Sequence, residues 1–447
     1  MIDRELYLFL ENWKVSSIRK PLILRGARQV GKTTLVKLFG KSYDQYLYFN
    51  LEKRKDLSLF KNIEDLDATI QLLFLDKGAI LSSNRSTLIF IDEVQEKPEV
   101  IEQLRYFYEE YPFLHIIVTG SLLDFALDNI DKVPVGRVEF AELHPINFRE
   151  FLLAKGNIQI VDLLDGVGID EHLLKPLFDR FHEYALIGGM PEIVSSYLSH
   201  RNITKVNRLF SGLVEAYKLD VEKYSNKDSM KRVINHIMKT APFEIDNRIV
   251  LGEFGNSSYK SREVKEAFEL LHKARIMHLS YPTTETSPPV IRDTGKRPRL
   301  HFLDVGLINY QLGIQKELLT IDDLNQSTKG KLCQQIVSQE ILSKQHLFSE
   351  FNTFWVREEK GKSAEVDVVY QFRKFLIPIE IKSGASGRLR SLHEFIDRCD
   401  HTYAIRLYRG PIQIDELESR NNKKYKLLNL PYFLAGSLDQ YLDWFID

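Results

Sequence analysis

Cysteine is nearly absent from this chain, with only Cys333 and Cys399. Two thiols cannot build a disulfide framework or a four-cysteine zinc site, so a reducing, intracellular setting is the default expectation. An excess of either charge is also missing. The 61 Lys and Arg nearly cancel the 62 Asp and Glu, so any contact with nucleic acid has to come from local patches. No uncharged apolar run approaches the roughly 18 residues that would span a bilayer. The start, Met1-Ile2-Asp3-Arg4-Glu5, leads into a short apolar stretch broken by Glu11, which is not the basic start and unbroken apolar core of a signal peptide. A cytoplasmic protein with no membrane partner is expected. What is present is a globular composition, 44% hydrophobic and 28% charged over 447 residues. At about 150 residues per domain that suggests two to four domains.

The first 150 residues alternate short apolar runs with amphipathic stretches. Residues 22–24, 46–49, 88–91 and 116–118 are rich in β-branched or aromatic side chains, and 138–143 offers a fifth strand. Segments long enough for helices separate them, as in a parallel sheet buried on both faces. From about 148 to 224 the period turns helical, interrupted by a turn at Gly188-Gly189-Met190-Pro191. Residues 229–240 gather Val233, Ile234, Ile237 and Met238 on one helical face. After a Gly/Ser turn, Ser261 can cap a second helix reaching about residue 279. This pattern fits a winged-helix or helix-turn-helix unit, and equally two more helices of a lid. A proline-bearing, basic stretch over 282–299 reads as a long connection. Beyond it a helix around 330–346 and strands near 353–357, 365–370, 376–382 and 402–408 return to mixed α/β. The expected division is 1–155, a P-loop core; 156–225, a helical lid; 226–299, a helical or winged-helix-like unit and linker; and 300–447, a further α/β domain.

Gly26-Ala27-Arg28-Gln29-Val30-Gly31-Lys32-Thr33 matches GxxxxGK[ST] in full, between an apolar strand and a helix that begins at Thr34. The glycines let the backbone wrap a phosphate, and N–H groups at a helix start supply the donors. Lys32 would reach the β- and γ-phosphates and Thr33 would ligate Mg²⁺. Residues 88–93 form an apolar strand that delivers Asp92 to the Mg²⁺ shell and Glu93 beside it, placed to polarise an attacking water. Asp followed by Glu favours hydrolysis over simple nucleotide binding. Thr119, ending the apolar run 116–118, can hold that water as a sensor. Arg137 follows on a loop, an arginine finger in cis or in trans or a surface residue.

In order, GARQVGKTT, LIFIDEVQ, VTGS, a GR pair before ELHPINFREF, IGGMPE and residues 300–307 (LHFLDVGL) resemble prokaryotic AAA-plus-type P-loop ATPases fused to a C-terminal domain of unknown function with a restriction-endonuclease-like core. The resemblance covers nearly the whole chain. It implies that Gly26 to Thr33 bind ATP, that Asp92 holds Mg²⁺, that Glu93 is the catalytic acid and that Thr119 is the sensor.

Toward the C-terminus, Glu365-Val366-Asp367 opens one strand, and Glu380 and Lys382 share a face of the next. Two carboxylates and a lysine on one sheet face can bind Mg²⁺ and activate water for phosphodiester hydrolysis, as in the D…ExK core of restriction-endonuclease-like nucleases. The other reading is a hairpin with a solvated charged face. Families of this type place a Glu on the preceding helix, where this chain has Gln334. Glu340, six residues on, sits about 240° around the helix and cannot replace it. The loss of one carboxylate favours a nucleic-acid-binding fold over active cleavage. Residues 371–410 hold eight Lys/Arg against four Asp/Glu, including Arg388 and Arg390, which could meet phosphates. The expectation is an Mg²⁺-dependent ATPase acting on DNA, most simply as a homo-oligomer. The alternative is an ATP-controlled regulatory switch with an inactive nuclease-like fold.

Overall fold

In the computed structural model the described residues are 2–447 apart from 129, 131–133, 135, 226, 319–322, 325–329, 348–351, 360–361 and 382–388. Helix α1 (Leu6–Val15) precedes an alternating run: β1 (Leu22–Arg25), α2 (Lys32–Gly40), β2 (Gln45–Asn50), α3 (Arg54–Leu59), α4 (Leu66–Lys77), β3 (Thr87–Asp92), α5 (Glu99–Glu110), β4 (Leu114–Thr119), α6 (Leu123–Leu127) and β5 (Glu139–Glu142). The five strands are parallel in the order β2-β3-β4-β1-β5. Every residue of β3 and β4 is buried, because helices cover both faces. All five strands expected from the apolar runs are present.

Helices α7 (Phe148–Ala154), α8 (Ile158–Leu164), α9 (Glu171–Ile187), α10 (Pro191–His200) and α11 (Ile203–Lys223) follow. The turn between α9 and α10 needs both of its glycines. A Cβ on Gly188 would lie 2.2 Å from Asp304 Oδ1, and one on Gly189 would lie 2.0 Å from the Ile146 carbonyl. Asp304 is buried here, accepting the Gly189 N–H at 2.6 Å and two N–H groups of a later helix. Burial pushes its carboxyl up to about 6.

Helices α12 (Asp228–Thr240) and α13 (Ser261–Lys273) come next, then β6 (Met277–Ser280) and β7 (Arg299–Phe302), paired antiparallel. α12 buries Val233, Ile234, Ile237 and Met238 as the spacing foretold. The second helix does not run to residue 279. It ends at Lys273, Arg275 turns left-handed at φ 60°, and the apolar residues beyond pair as a strand. Arg248 bridges Arg299, so a short extended segment between the helices joins the same small sheet. The connection between β6 and β7 lies along the C-terminal sheet, with Thr283 exchanging backbone hydrogen bonds with Phe354 and Val356 at 2.8 and 3.0 Å.

The remainder comprises α14 (Val305–Leu312), α15 (Gln315–Leu318), α16 (Lys331–Ser343), β8 (Thr353–Glu359), β9 (Lys362–Phe372), β10 (Phe375–Ile381), α17 (Arg390–Ile396), β11 (Tyr403–Tyr408), β12 (Gln413–Glu418), β13 (Lys424–Pro431) and α18 (Leu438–Ile446). Six strands form a mixed sheet, β12-β13-β11-β10-β9-β8, parallel only at β10-β11 and β11-β13. The β12–β13 hairpin and α18 had no counterpart in the sequence reading. β12 alternates exposed and half-buried residues around Asp and Glu, which masks its strand character.

Gly189→Ala should destabilise the chain by about 3 kcal/mol, because the neighbour that must yield is backbone. Gly212, exposed within α11 with open space around its Cβ position, should act the opposite way. Its replacement by Ala should add about 0.5–1 kcal/mol by removing a mid-helix glycine. Urea unfolding midpoints of the two variants check both signs.

Candidate functional site

The C-terminal ends of β1, β3 and β4 converge on the P-loop. Gly26 has φ +140°, and a Cβ there would strike the Leu143 carbonyl at 2.3 Å. Gly31, at φ +100°, occupies the N-cap of α2. These glycines bend the backbone where a side chain would be strained, and several of the loop's carbonyls are met by side chains. Lys32 Nζ donates to the carbonyls of Gly26 and Ala27 at 2.7 and 2.9 Å. Tyr217 of α11 donates to the Arg28 carbonyl at 2.9 Å, and Arg4 donates to that of Val30 at 2.8 Å. The Arg28 guanidinium reaches both carboxylate oxygens of Asp220 at 2.7 and 2.8 Å.

Asp92 ends β3 as a buried acceptor. Its Oδ2 takes the Thr33 hydroxyl at 2.8 Å and the Tyr48 hydroxyl at 3.3 Å, and its Oδ1 takes the Thr119 hydroxyl. Glu93 follows in the left-handed region, φ 57°, which swings its side chain out of the strand line. Its Oε2 accepts from Gln95 at 2.6 Å and faces the Ser121 hydroxyl at 3.4 Å. The structure therefore brings Lys32, Thr33, Asp92, Glu93 and Thr119 together, with Thr119 bonded to Asp92 rather than beside Glu93. Ser121 is the hydroxyl next to Glu93.

Arg137 is not brought to this group. It stands two residues before β5, whose first residue pairs with Leu22 at the start of β1, so it lies at the end of the sheet opposite the P-loop. Its guanidinium is held by Glu109 at 2.8 Å. A cis finger is excluded by that placement.

Burial lowers Lys32 to about 8, against the opposing pull of Glu93 and Asp92. A cavity of about 1460 Å³ opens beside the loop, lined by Lys32, Thr33, Thr34, Glu93 and Ser121 among others. The residues fit a nucleotide with its Mg²⁺. The loop is shaped for a phosphate, the lysine is adjacent, and Thr33 and Asp92 present two oxygens 2.8 Å apart to a shared cation.

Residues 18–152 match the family model described as an AAA domain. Over that stretch the chain is similar to AAA domains. Within it, the P-loop and the Asp92–Glu93 pair occupy the nucleotide-binding edge of the parallel sheet. Residues 178–318 and 329–432 match two models described as domains of unknown function, DUF8612 and DUF4143. An uncharacterized protein of Methanocaldococcus jannaschii is 24% identical over 387 residues, covering 83% of this chain and 77% of the relative. An uncharacterized protein of Haemophilus influenzae is 25% identical over 205 residues, 43% of this chain and 45% of its own. A solved Walker-type ATPase of Pyrococcus abyssi aligns with a TM-score of 0.45 at 15% identity, over 70% of this chain and 96% of that one.

The C-terminal group has a different character. Asp367 accepts the Gln334 amide at 2.8 Å and the Ile381 N–H at 2.9 Å, and Arg299 stands 3.4 Å from its carboxylate. The same buried guanidinium pairs with Glu365 and lies 3.5 Å from Asp246. Arg299 thus occupies the acidic pocket as an internal cation. Burial pushes Asp246 up to about 7 despite that partner. Glu380 is buried, one step beyond the Ile379–Val368 pair and in register with Arg406 on β11. Among the described residues, no three His, Cys, Asp or Glu side chains are grouped to hold a metal. Lys382 and Arg388 lie outside the described residues. Of the described basic residues in the run over 371–410, Arg373 is paired with Asp443 and Asp447 at 2.6 and 2.9 Å, Arg406 is buried, and Lys374 and Arg398 are exposed. Arg390 is exposed at the start of α17.

Sequence reasoning missed Arg4, Asp220, Tyr217 and Arg275. Arg275 is buried between Asp124, at 3.1 Å, and Glu142, tying the end of α13 to the nucleotide-binding core. Nothing in the spacing of these residues relates them to the P-loop.

Two outcomes follow. Near pH 8, Lys32 is about half deprotonated in the free site, and triphosphate charge favours its ammonium form, so ATP binding should take up about half a proton, falling toward none at pH 6. Calorimetry in buffers of differing ionisation enthalpy reads this directly. Arg299→Ala should cost about 3–5 kcal/mol at pH 7.5, because the largely enclosed carboxylates of Asp246 and Asp367 lose their counter-charge. The loss should shrink toward pH 5.5 as Asp246 protonates, which unfolding curves at the two pH values would show.

Proposed function

We propose that the chain is an Mg²⁺-dependent ATPase whose hydrolysis cycle drives a C-terminal domain that engages DNA. The single observation behind the ATPase reading is the Thr33–Asp92–Thr119 hydrogen-bonded line with Glu93 at its open end. Bound Mg²⁺ would supply charge neutralisation at the β- and γ-phosphates, held by Thr33 and Asp92. The P-loop N–H groups from Ala27 to Thr34 and the Lys32 ammonium bind the triphosphate. Glu93 accepts the proton of the attacking water, and Gln95 and Ser121 fix its carboxylate, so Ser121 takes the water-orienting place expected of Thr119. Domain limits of 1–155, 156–225, 226–299 and 300–447 suit this reading, with 299–302 carried over to the unit whose strand β6 they pair with. The order helix, bridge, helix, strand, long connection, strand supports a winged-helix-like unit over two further lid helices.

A second reading has support of its own. Arg299 offsets part of the charge of the Asp367 pocket, and the exposed face of α13 mixes Arg262 and Lys265 with Glu266 and Glu269. Both favour a switch in which ATP controls contacts of an inactive nuclease-like fold. An oligomer remains part of the proposal, since Arg137 could reach only a neighbouring subunit's nucleotide.

Lys32→Ala should abolish nucleotide binding. Glu93→Gln should bind ATP normally with turnover lowered about 10²–10⁴-fold, the worth of a positioned base. Equal loss of affinity in both variants would remove Glu93 from catalysis. Duplex or single-stranded DNA should raise wild-type turnover, with the effect fading as salt rises. Turnover indifferent to DNA at low salt would leave the switch reading.

A further inference from the structure

The wall of the nucleotide cavity is not built from the AAA domain alone. Lys344 and His346, just after α16, line it together with Lys32, Thr33 and Glu93. Lys344 Nζ donates to both carboxylate oxygens of Glu5 at 2.7 and 2.8 Å, and its side chain keeps 31% of its surface open. Glu5 adjoins Arg4, the residue that satisfies the P-loop carbonyl of Val30. It is fixed in turn by Asn147, whose amide donates to it at 2.7 Å, and by Glu150, which accepts its backbone N–H at 2.7 Å.

One turn before Lys344, buried Glu340 accepts the Phe148 N–H at 3.1 and 3.2 Å and the Tyr184 hydroxyl at 2.8 Å. A carboxylate of α16 therefore closes the N-terminus of α7, at the end of the stretch that matches the AAA domain. At the other end of the same helix, the Gln334 amide donates to Asp367 at 2.8 Å. Ten residues separate Gln334 from Lys344, about 15 Å along a helix. Buried side chains run the length of α16, including Leu332, Ile336, Val337 and Ile341, so its two ends move together.

We propose that Lys344 is a nucleotide-contacting residue supplied from outside the AAA domain, and that α16 carries nucleotide occupancy to the Asp367 pocket. This rests on the reading that the cavity binds ATP. The alternative partners of the Lys344 ammonium are the element with two states: Glu5 holds it in the arrangement described, and an anionic triphosphate in the same cavity competes for it. When the Lys344 ammonium leaves Glu5, the C-terminal end of α16 loses its tie to the N-terminal segment, and in this proposal the helix that carries Gln334 to Asp367 relaxes with it.

Hydrogen exchange on the full chain, with and without a non-hydrolysable ATP analogue and Mg²⁺, tests this at the Ile381 amide, which is bonded to Asp367 Oδ2 at 2.9 Å. At saturation the wild type should shift that amide's exchange rate by about fivefold or more. Lys344→Ala should weaken analogue binding several-fold and, when saturated, lose the shift, while Lys344→Arg retains it. Gln334→Ala should keep the affinity and lose the shift, which separates transmission from binding even if the Lys344 variant folds poorly. A wild type that binds the analogue with no change at Ile381 would overturn the proposal, as would a full shift in saturated Lys344→Ala. A wild type that fails to bind the analogue would refute the nucleotide reading beneath it, and this proposal with it.

Discussion

A loop that turns successive N–H groups toward a phosphate must turn its carbonyls away, and most of those carbonyls have no strand or helix to pair with. Much of this architecture answers that constraint. Lys32 takes the carbonyls of Gly26 and Ala27, Tyr217 takes that of Arg28, and Arg4 takes that of Val30. These donors come from the loop itself, from α11 and from the N-terminal segment, so lid and N-terminus are pinned to the P-loop as a condition of its shape. Arg4 passes the constraint on through Glu150, and Glu5 beside it reaches Lys344. The core, the lid and the C-terminal part are thereby joined through polar groups satisfied at short range.

The parts legible in the sequence were those whose physics is local. Residues 26–33 must wrap whatever surrounds them, and strands such as 88–91 announce themselves by continuous burial. The placement of Asp92 and Glu93 followed from a strand ending in two acids. Roles set by contacts distant in the chain were not legible. Asp220 lies 192 residues from Arg28, and its carboxylate reads as one more charge on an amphipathic helix. Arg137 illustrates the converse. Its position after the fourth strand suggested the nucleotide, but a parallel strand starts at the far end of the sheet from the P-loop, and the residue follows that geometry to Glu109.

Gln334, Asp367 and Arg299 show how a pattern can be read correctly and still mislead. The amide does lie beside Asp367, at the place where the family pattern puts a Glu. What that pattern could not show is that β7 delivers a guanidinium into the same acidic pocket, where it offsets part of the charge a divalent cation would otherwise meet. An amide donor at 334 suits a carboxylate already paired with a cation, whereas a second carboxylate would repel it unless a metal stood between them.

The central claim is that the P-loop, Thr33 and Asp92 form one triphosphate–Mg²⁺ site with Glu93 at its edge. The most direct measurement is a crystal structure of the Glu93→Gln chain grown with ATP and Mg²⁺. The account predicts density for the cation between Thr33 and Asp92, and Lys32 Nζ moved from the Gly26 and Ala27 carbonyls onto the phosphates. Nucleotide bound elsewhere in the cavity, or Lys32 still seated on those carbonyls with the triphosphate in place, would contradict it.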